Sequence, residues 1–196
     1  MLFTRNLLAS AALSLAALTP ALAHAVVYAA PLLGSSEVPV AVTPGTGFGT
    51  VTIDLDLLTL RVEASFSGLL GNTTSAHIHC CVLPGSNVGV ATQTASFSGF
   101  PLGVTAGSYD NTFNMALSSS YNAAFITANG GTVGSAFNAL VAGLDAGRAY
   151  LNIHTSAFQG GEIRGLLVPV PEVSTYAMML GGLAVLGAMG RRRQAT

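Results

Sequence analysis

Apolar and polar residues alternate through much of this chain, and a period of two predicts strands. In residues 47–56, Val51, Ile53 and Leu55 point one way and Thr50, Thr52 and Asp54 the other. In residues 58–66, Leu58, Leu60, Val62, Ala64 and Phe66 form one face, against Thr59, Arg61, Glu63 and Ser65. One buried and one solvated face is the antiparallel pattern, so these segments read as a hairpin. Residues 26–33 are a short apolar run, and Pro31 inside it predicts an edge strand, because proline cannot donate to a ladder. Residues 74–81 read as another strand. Residues 149–155 and 162–168 read as a second hairpin around the turn 156–161. Residues 96–110 are rich in glycine and aromatics and read as a long loop with one strand at most. Residues 119–128 predict a short helix. Ala136, Leu140, Val141 and Leu144 recur at helical spacing across residues 133–146, with Gly147 as C-cap. The body is expected to be mainly β with one or two short helices.

The two ends do not fit that body. Arg5 precedes an apolar run at 7–18, and Ala21-Leu22-Ala23 has the small-x-small form of a signal peptidase site. Residues 1–23 are therefore expected to be a signal peptide, with Ala23-His24-Ala25 as a competing site. Near the C-terminus an apolar run at 177–190 is followed by Arg191, Arg192 and Arg193. The run predicts a hydrophobic helix, short of the roughly twenty residues of a full span. The arginines would hold its tip in the cytoplasm, which places the body outside. Residues 24–168 remain as one domain of ordinary size, long enough to bury a core.

The chain has no lysine and no tryptophan. Between the two end segments the cations are Arg61, Arg148 and Arg164, and the acids are Glu37, Asp54, Asp56, Glu63, Asp110, Asp145 and Glu162. The body is mildly acidic, and no basic patch exists for nucleic acid. Its two cysteines, Cys80 and Cys81, are adjacent. In an oxidising compartment they can form a vicinal disulfide, bridge to another chain, or stay as metal-binding thiols.

Alternation also groups the histidines. His77, His79 and Cys81 share one side of their strand, and the two imidazoles start about 7 Å apart, within reach of one metal ion. His154 shares a face with Tyr150 and Asn152. If the two strands are neighbours, His154 completes a three-histidine set for copper or zinc. Glu162 is then a fourth ligand, or an acceptor that orients a ring. The competing reading is a buried hydrogen-bonded network in which His77, His79, Asn152, His154, Glu162 and Arg164 satisfy one another and nearby backbone. Nucleophilic catalysis finds no support: there is no Gly-x-Ser-x-Gly elbow, and His79-Cys80-Cys81 lacks an orienting third group. The expectation is a protein that is not an enzyme.

Three pieces in order carry a family resemblance: Ser36-Glu37-Val38-Pro39 with the 45–49 turn region, Ala76-His77-Ile78-His79, and Tyr150-Leu151-Asn152-Ile153-His154-Thr155 followed by Gly160-Gly161-Glu162-Ile163-Arg164-Gly165. Together they resemble the CHRD domain, common in secreted bacterial proteins. The resemblance covers about residues 29–167 and implies an immunoglobulin-like antiparallel β-sandwich. Residues 169–196 resemble the PEP-CTERM sorting tail of Gram-negative bacteria. The matching features are Pro171, Glu172, Ser174 and Thr175, the apolar run, and Arg191, Arg192 and Arg193. The usual motif is Pro-Glu-Pro, where this chain has Val173. That resemblance implies an exosortase-type membrane enzyme as a partner besides signal peptidase. It also implies inner-membrane anchoring until processing, then delivery to the cell surface or exopolysaccharide matrix. The expected role is binding or structural, toward exopolysaccharide or surface proteins. The alternative is a copper- or zinc-binding surface protein.

Overall fold

A computed structural model describes residues 25–171. The expected signal peptide, His24, and the sorting residues Glu172, Ser174, Thr175, Arg191, Arg192 and Arg193 lie outside the described residues. Pro171 is the last residue described, and it is exposed. Among the described residues no helix is long and apolar enough to cross a membrane.

The strands are β1 (Ala25–Leu33), β2 (Thr46–Asp54), β3 (Thr59–Ser67), β4 (Thr73–Cys80), β5 (Gly107–Asn114), β6 (Ala149–Thr155), β7 (Ile163–Leu166) and β8 (Val168–Pro169). Two helices, α1 (Ala123–Ala128) and α2 (Val133–Asp145), fall between β5 and β6. All pairings are antiparallel, and the sheet order is β4-β6-β7-β1-β2-β3-β5, with β8 against β1. The mainly β expectation with two short helices holds. The sandwich-like arrangement is made by one continuous sheet that curls on itself. Its curl brings Ala76 and Ile78 of β4, at one end, into one core with Val62 of β3 and Phe113 of β5, at the other.

Local chemistry accounts for the elements. The β2–β3 hairpin forms as the alternation predicts, with Val51, Ile53, Leu60 and Val62 fully buried. Leu55 and Leu58 were expected on that buried face, but both are at least 40% exposed because they belong to the turn. Asp54 Oδ1 sets this turn by accepting from the N–H groups of Asp56 and Leu57. β1 is not the edge strand that Pro31 suggested. It pairs with β2 along its whole length and touches β8 and β7 on its other side. That second ladder is interrupted from Ala30 to Leu32, the stretch that holds Pro31, so a residue without an N–H is tolerated there. α2 starts at a capping box in which Thr132 and Ser135 each satisfy the other's backbone N–H. It ends where Gly147 takes φ +61°.

The outer side of β4 is covered by the following loop. Ala91 and Thr92 donate to Ile78 O, and Phe97 donates to Ala76 O. Covering the strand leaves no open ladder at this end of the sheet. It also buries both faces of β4: Ala76, Ile78 and Cys80 enter the core, while His77 and His79 lie on the opposite face, under the loop.

Two glycines separate close packing from free space. A Cβ at Gly165 would press on Pro31 O and the Ala30 side chain, whereas one at Gly134 in α2 would meet nothing within 4 Å. Gly165→Ala should therefore cost about 1–3 kcal/mol of overpacking. Gly134→Ala should be neutral or stabilise by up to about 1 kcal/mol. Urea unfolding of the two variants, with midpoints moving in opposite directions, checks this pair.

Candidate metal centre

The register of β4 against β6 builds the site. Ser75 faces His154, His77 faces Asn152, and His79 faces Tyr150. Directly opposed residues share a face of the sheet, so the three histidines lie on one side, away from the core residues Ala76, Ile78, Leu151 and Ile153. His154 and His79 stand in rows on either side of the His77–Asn152 row. Their ring centroids are nevertheless only 5.8 Å apart, so both rings lean over the row between them. His77 closes the triangle, with centroids 5.8 Å from His79 and 5.3 Å from His154. One ligating nitrogen from each residue lies within 4.8 Å of the other two.

The hydrogen bonds fix which nitrogen faces inward. His77 Nε2 lies 2.6 Å from Ala95 O, His79 Nδ1 2.7 Å from Val88 O, and His154 Nδ1 2.9 Å from Gln159 O. A carbonyl oxygen only accepts, so each of these outer nitrogens carries the proton. The inner nitrogens are His77 Nδ1, His79 Nε2 and His154 Nε2. All three are buried without a hydrogen-bond partner. Burial holds all three pKa values below the usual imidazole value, that of His79 at about 4, against the backbone hydrogen bonds, which act to raise them. The rings are neutral, and three bare lone pairs converge on one space. Backbone acceptors that fix tautomer and orientation are the usual setting of a metal-bound imidazole.

A stack of side chains braces His79. Tyr150 lies flat against it at 4.7 Å and 4° between planes, and the Arg164 guanidinium sits 4.6 Å over the other partner, the Tyr150 ring. Arg164 donates from Nε to Ser36 O and from Nη1 to Asn87 Oδ1, and its Nε lies 3.6 Å from Glu37 Oε2. Burial pushes the Glu37 carboxyl up to about 7 against the opposing pull of Arg164.

Not every residue singled out in the sequence joins the trio. Glu162 is fully buried and lies apart from it, with both oxygens taken. Oε1 accepts from Thr43 Oγ1 and Leu70 N, and Oε2 from Thr155 Oγ1 and Gly71 N. It pins two loops to the end of β6 and has no lone pair directed at the histidines. Cys80 and Cys81 are joined as a disulfide, so neither is a thiolate ligand. A Cβ at Gly143 would fall on both sulfurs, which explains the glycine where α2 crosses them. The network reading holds only in its backbone part: the rings bond to the carbonyls of Ala95, Val88 and Gln159, not to Glu162 or Arg164. The loops that supply those carbonyls were not legible from the sequence. Tyr150 carried a signal, since it shares the His154 face in the strand pattern.

Among known proteins, a family model described as the CHRD domain matches residues 28–167. No curated protein and no solved structure matches the chain.

Burial alone would raise the Glu162 carboxyl, but its four donors outweigh that and hold it below the ordinary carboxylate value. A depressed carboxylate stabilises the fold above its unfolded pKa, and that contribution is lost as pH falls through the folded value. Glu162→Gln should cost about 1.5–3 kcal/mol at pH 7. The gap from wild type should close in acid. Thermal melts of both proteins across pH 7 to 3 check the convergence.

Proposed function

The chain belongs to the CHRD domain family, and from that premise we propose an exported, surface-directed module that binds copper or zinc. The observation that carries the metal reading is the convergence of three buried, unpartnered imidazole nitrogens, each with its outer N–H held by a backbone carbonyl. Three neutral histidines suit either ion, and three protein ligands leave a fourth position open. His77, His79 and His154 are the proposed ligands. Zinc–nitrogen bonds of about 2.0–2.1 Å require the rings to draw inward on loading. The three inner nitrogens are otherwise costly to leave buried and unpaired.

Export is supported by the sequence of the two ends. Residues 1–23 have the form of a signal peptide. Residues 169–196 resemble a PEP-CTERM tail read by an exosortase-type enzyme, with Pro171, Glu172, Ser174, Thr175, Arg191, Arg192 and Arg193 as the matching positions. Delivery to the cell surface or the exopolysaccharide matrix follows from that resemblance. The role we assign is metal binding, carried by the histidine trio, the group among the described residues that could hold a metal ion. The same trio, without an ion, would serve only as a structural element of a surface scaffold.

Elemental analysis and calorimetry of the purified chain separate the two. One equivalent of copper or zinc should bind and raise the melting temperature by mass action. His77→Ala, His79→Ala and His154→Ala should each weaken binding by at least about tenfold, the lower end of what loss of an orienting or coordinating group costs at a metal site. Glu162→Gln should leave the stoichiometry intact. A folded wild-type chain that takes up neither ion would sink the metal reading and leave the scaffold.

A further inference from the structure

Among the described residues, five buried side-chain nitrogen and oxygen atoms lack a hydrogen-bond partner. Three are the inner histidine nitrogens. The other two are Asn152 Oδ1 and Glu37 Oε1. Orphaned polar atoms in a buried setting ask for an explanation. Here all five are acceptors: three bare imidazole lone pairs, an amide carbonyl and a carboxyl oxygen.

The two oxygens belong to the same place. Asn152 lies directly opposite His77, in the row over which His79 and His154 lean. Its Nδ2 donates to Gly160 O, which leaves Oδ1 free. A Cβ at Gly161 would lie 2.5 Å from Asn152 Oδ1 and 2.6 Å from Glu37 Oε1, so both oxygens border one small space that only glycine leaves empty. Gly161 also takes φ +126°, a conformation side chains disfavour. Glu37 is 4% exposed and Asn152 1%. A cleft of about 430 Å³, bordered by Glu37, Asn87, Phe158, Gly160 and Gly161, lies beside this space.

We propose that the ion held by His77, His79 and His154 keeps one water, whose two O–H groups donate to Asn152 Oδ1 and Glu37 Oε1. This rests on the ion site proposed above. One hydrated ion then satisfies all five orphan atoms: the metal takes three lone pairs, and its water supplies two donors. The fourth position then belongs to a water and not to a protein atom, unlike the closed four-ligand sites that only hold a fold together. Asn152 and Glu37 are positioning residues, since they act on the metal-bound water and not on the metal.

The test uses the detergent-purified full chain with His24, the fourth histidine, replaced by Ala so that copper reports on the trio. The protein is loaded with one equivalent of Cu(II), exchanged into D₂O and examined by pulsed electron paramagnetic resonance. Nitrogen couplings from imidazole together with deuterium modulation from a coordinated water are expected. Failure to bind copper overturns the ion site and this inference with it. Bound copper without coordinated deuterons overturns the water alone and gives the fourth position to a protein atom. Glu37→Gln should keep the copper and let azide displace the water at about tenfold lower concentration, since a hydrogen bond to a charged acceptor is lost. Unchanged azide competition in that variant removes Glu37 from the site.

Discussion

Side chains along a strand alternate faces, so the pairing of His77 with Asn152 decides where a dozen neighbours point. A slip of one residue between β4 and β6 would send Leu151 and Ile153 out of the core and turn His154 away from His77. The apolar half of each strand therefore enforces the polar half. Ala76, Ile78, Leu151 and Ile153 are at most 1% exposed, and their burial holds the register that assembles the histidines on the opposite face. The site needs no separate folding element of its own. It is the reverse side of the core.

What that reverse side lacks is cover, and loops provide it. Ala95 and Val88 come from the segment after β4, and Gln159 from the β6–β7 turn. Each places a carbonyl on the outer nitrogen of one ring. Glu162 secures the opposite end by gathering donors from Thr43, Leu70, Gly71 and Thr155. Arg164 holds the 36–37 and 87–88 segments together while stacking on Tyr150. Buried charge is tolerable only when its lone pairs and protons are met. Glu162 and Arg164 meet that condition through backbone and side-chain partners, which is why they stabilise loops here and do not serve as ligands.

Period-two alternation was enough to read β2, β3, β4 and β6 and to place His77 and His79 on one face. Helical spacing and the following glycine were enough for α2. The misreadings share a cause: each depended on a partner far away in the chain. Pro31 marks an edge only if both sides of β1 would otherwise be paired continuously, and the gap from Ala30 to Leu32 is a property of β7 and β8. Leu55 and Leu58 continue an apolar alternation that Asp54 cuts short by folding the turn onto its own carboxylate. β5 was half hidden in a glycine-rich stretch because only Tyr109 and Phe113 of its eight residues are buried. Three of the four Glu162 donors come from two distant segments, at Thr43 and at Leu70 and Gly71, so the sequence around it does not distinguish a ligand from a loop anchor. For Glu37 the sequence showed a family motif, but its position beside Asn152 and Gly161 arises from the fold.

Three neutral imidazoles bind an ion without cancelling its charge. A divalent cation under this cover would retain most of its charge in a setting that solvates it poorly. The trio contains no carboxylate, and the disulfide removes both sulfurs as anionic donors. Glu37 is the carboxyl that borders the Asn152–Gly161 space, and Arg164 already draws on its other oxygen at 3.6 Å. Without an ion, burial raises the pKa of that carboxyl to about 7, so it is only partly ionised at neutral pH. A nearby cation would favour its ionised form. Cation and carboxylate would then each lower the cost of burying the other. The same unpaired oxygen that looks like a defect in the empty fold becomes the counter-charge of the filled one.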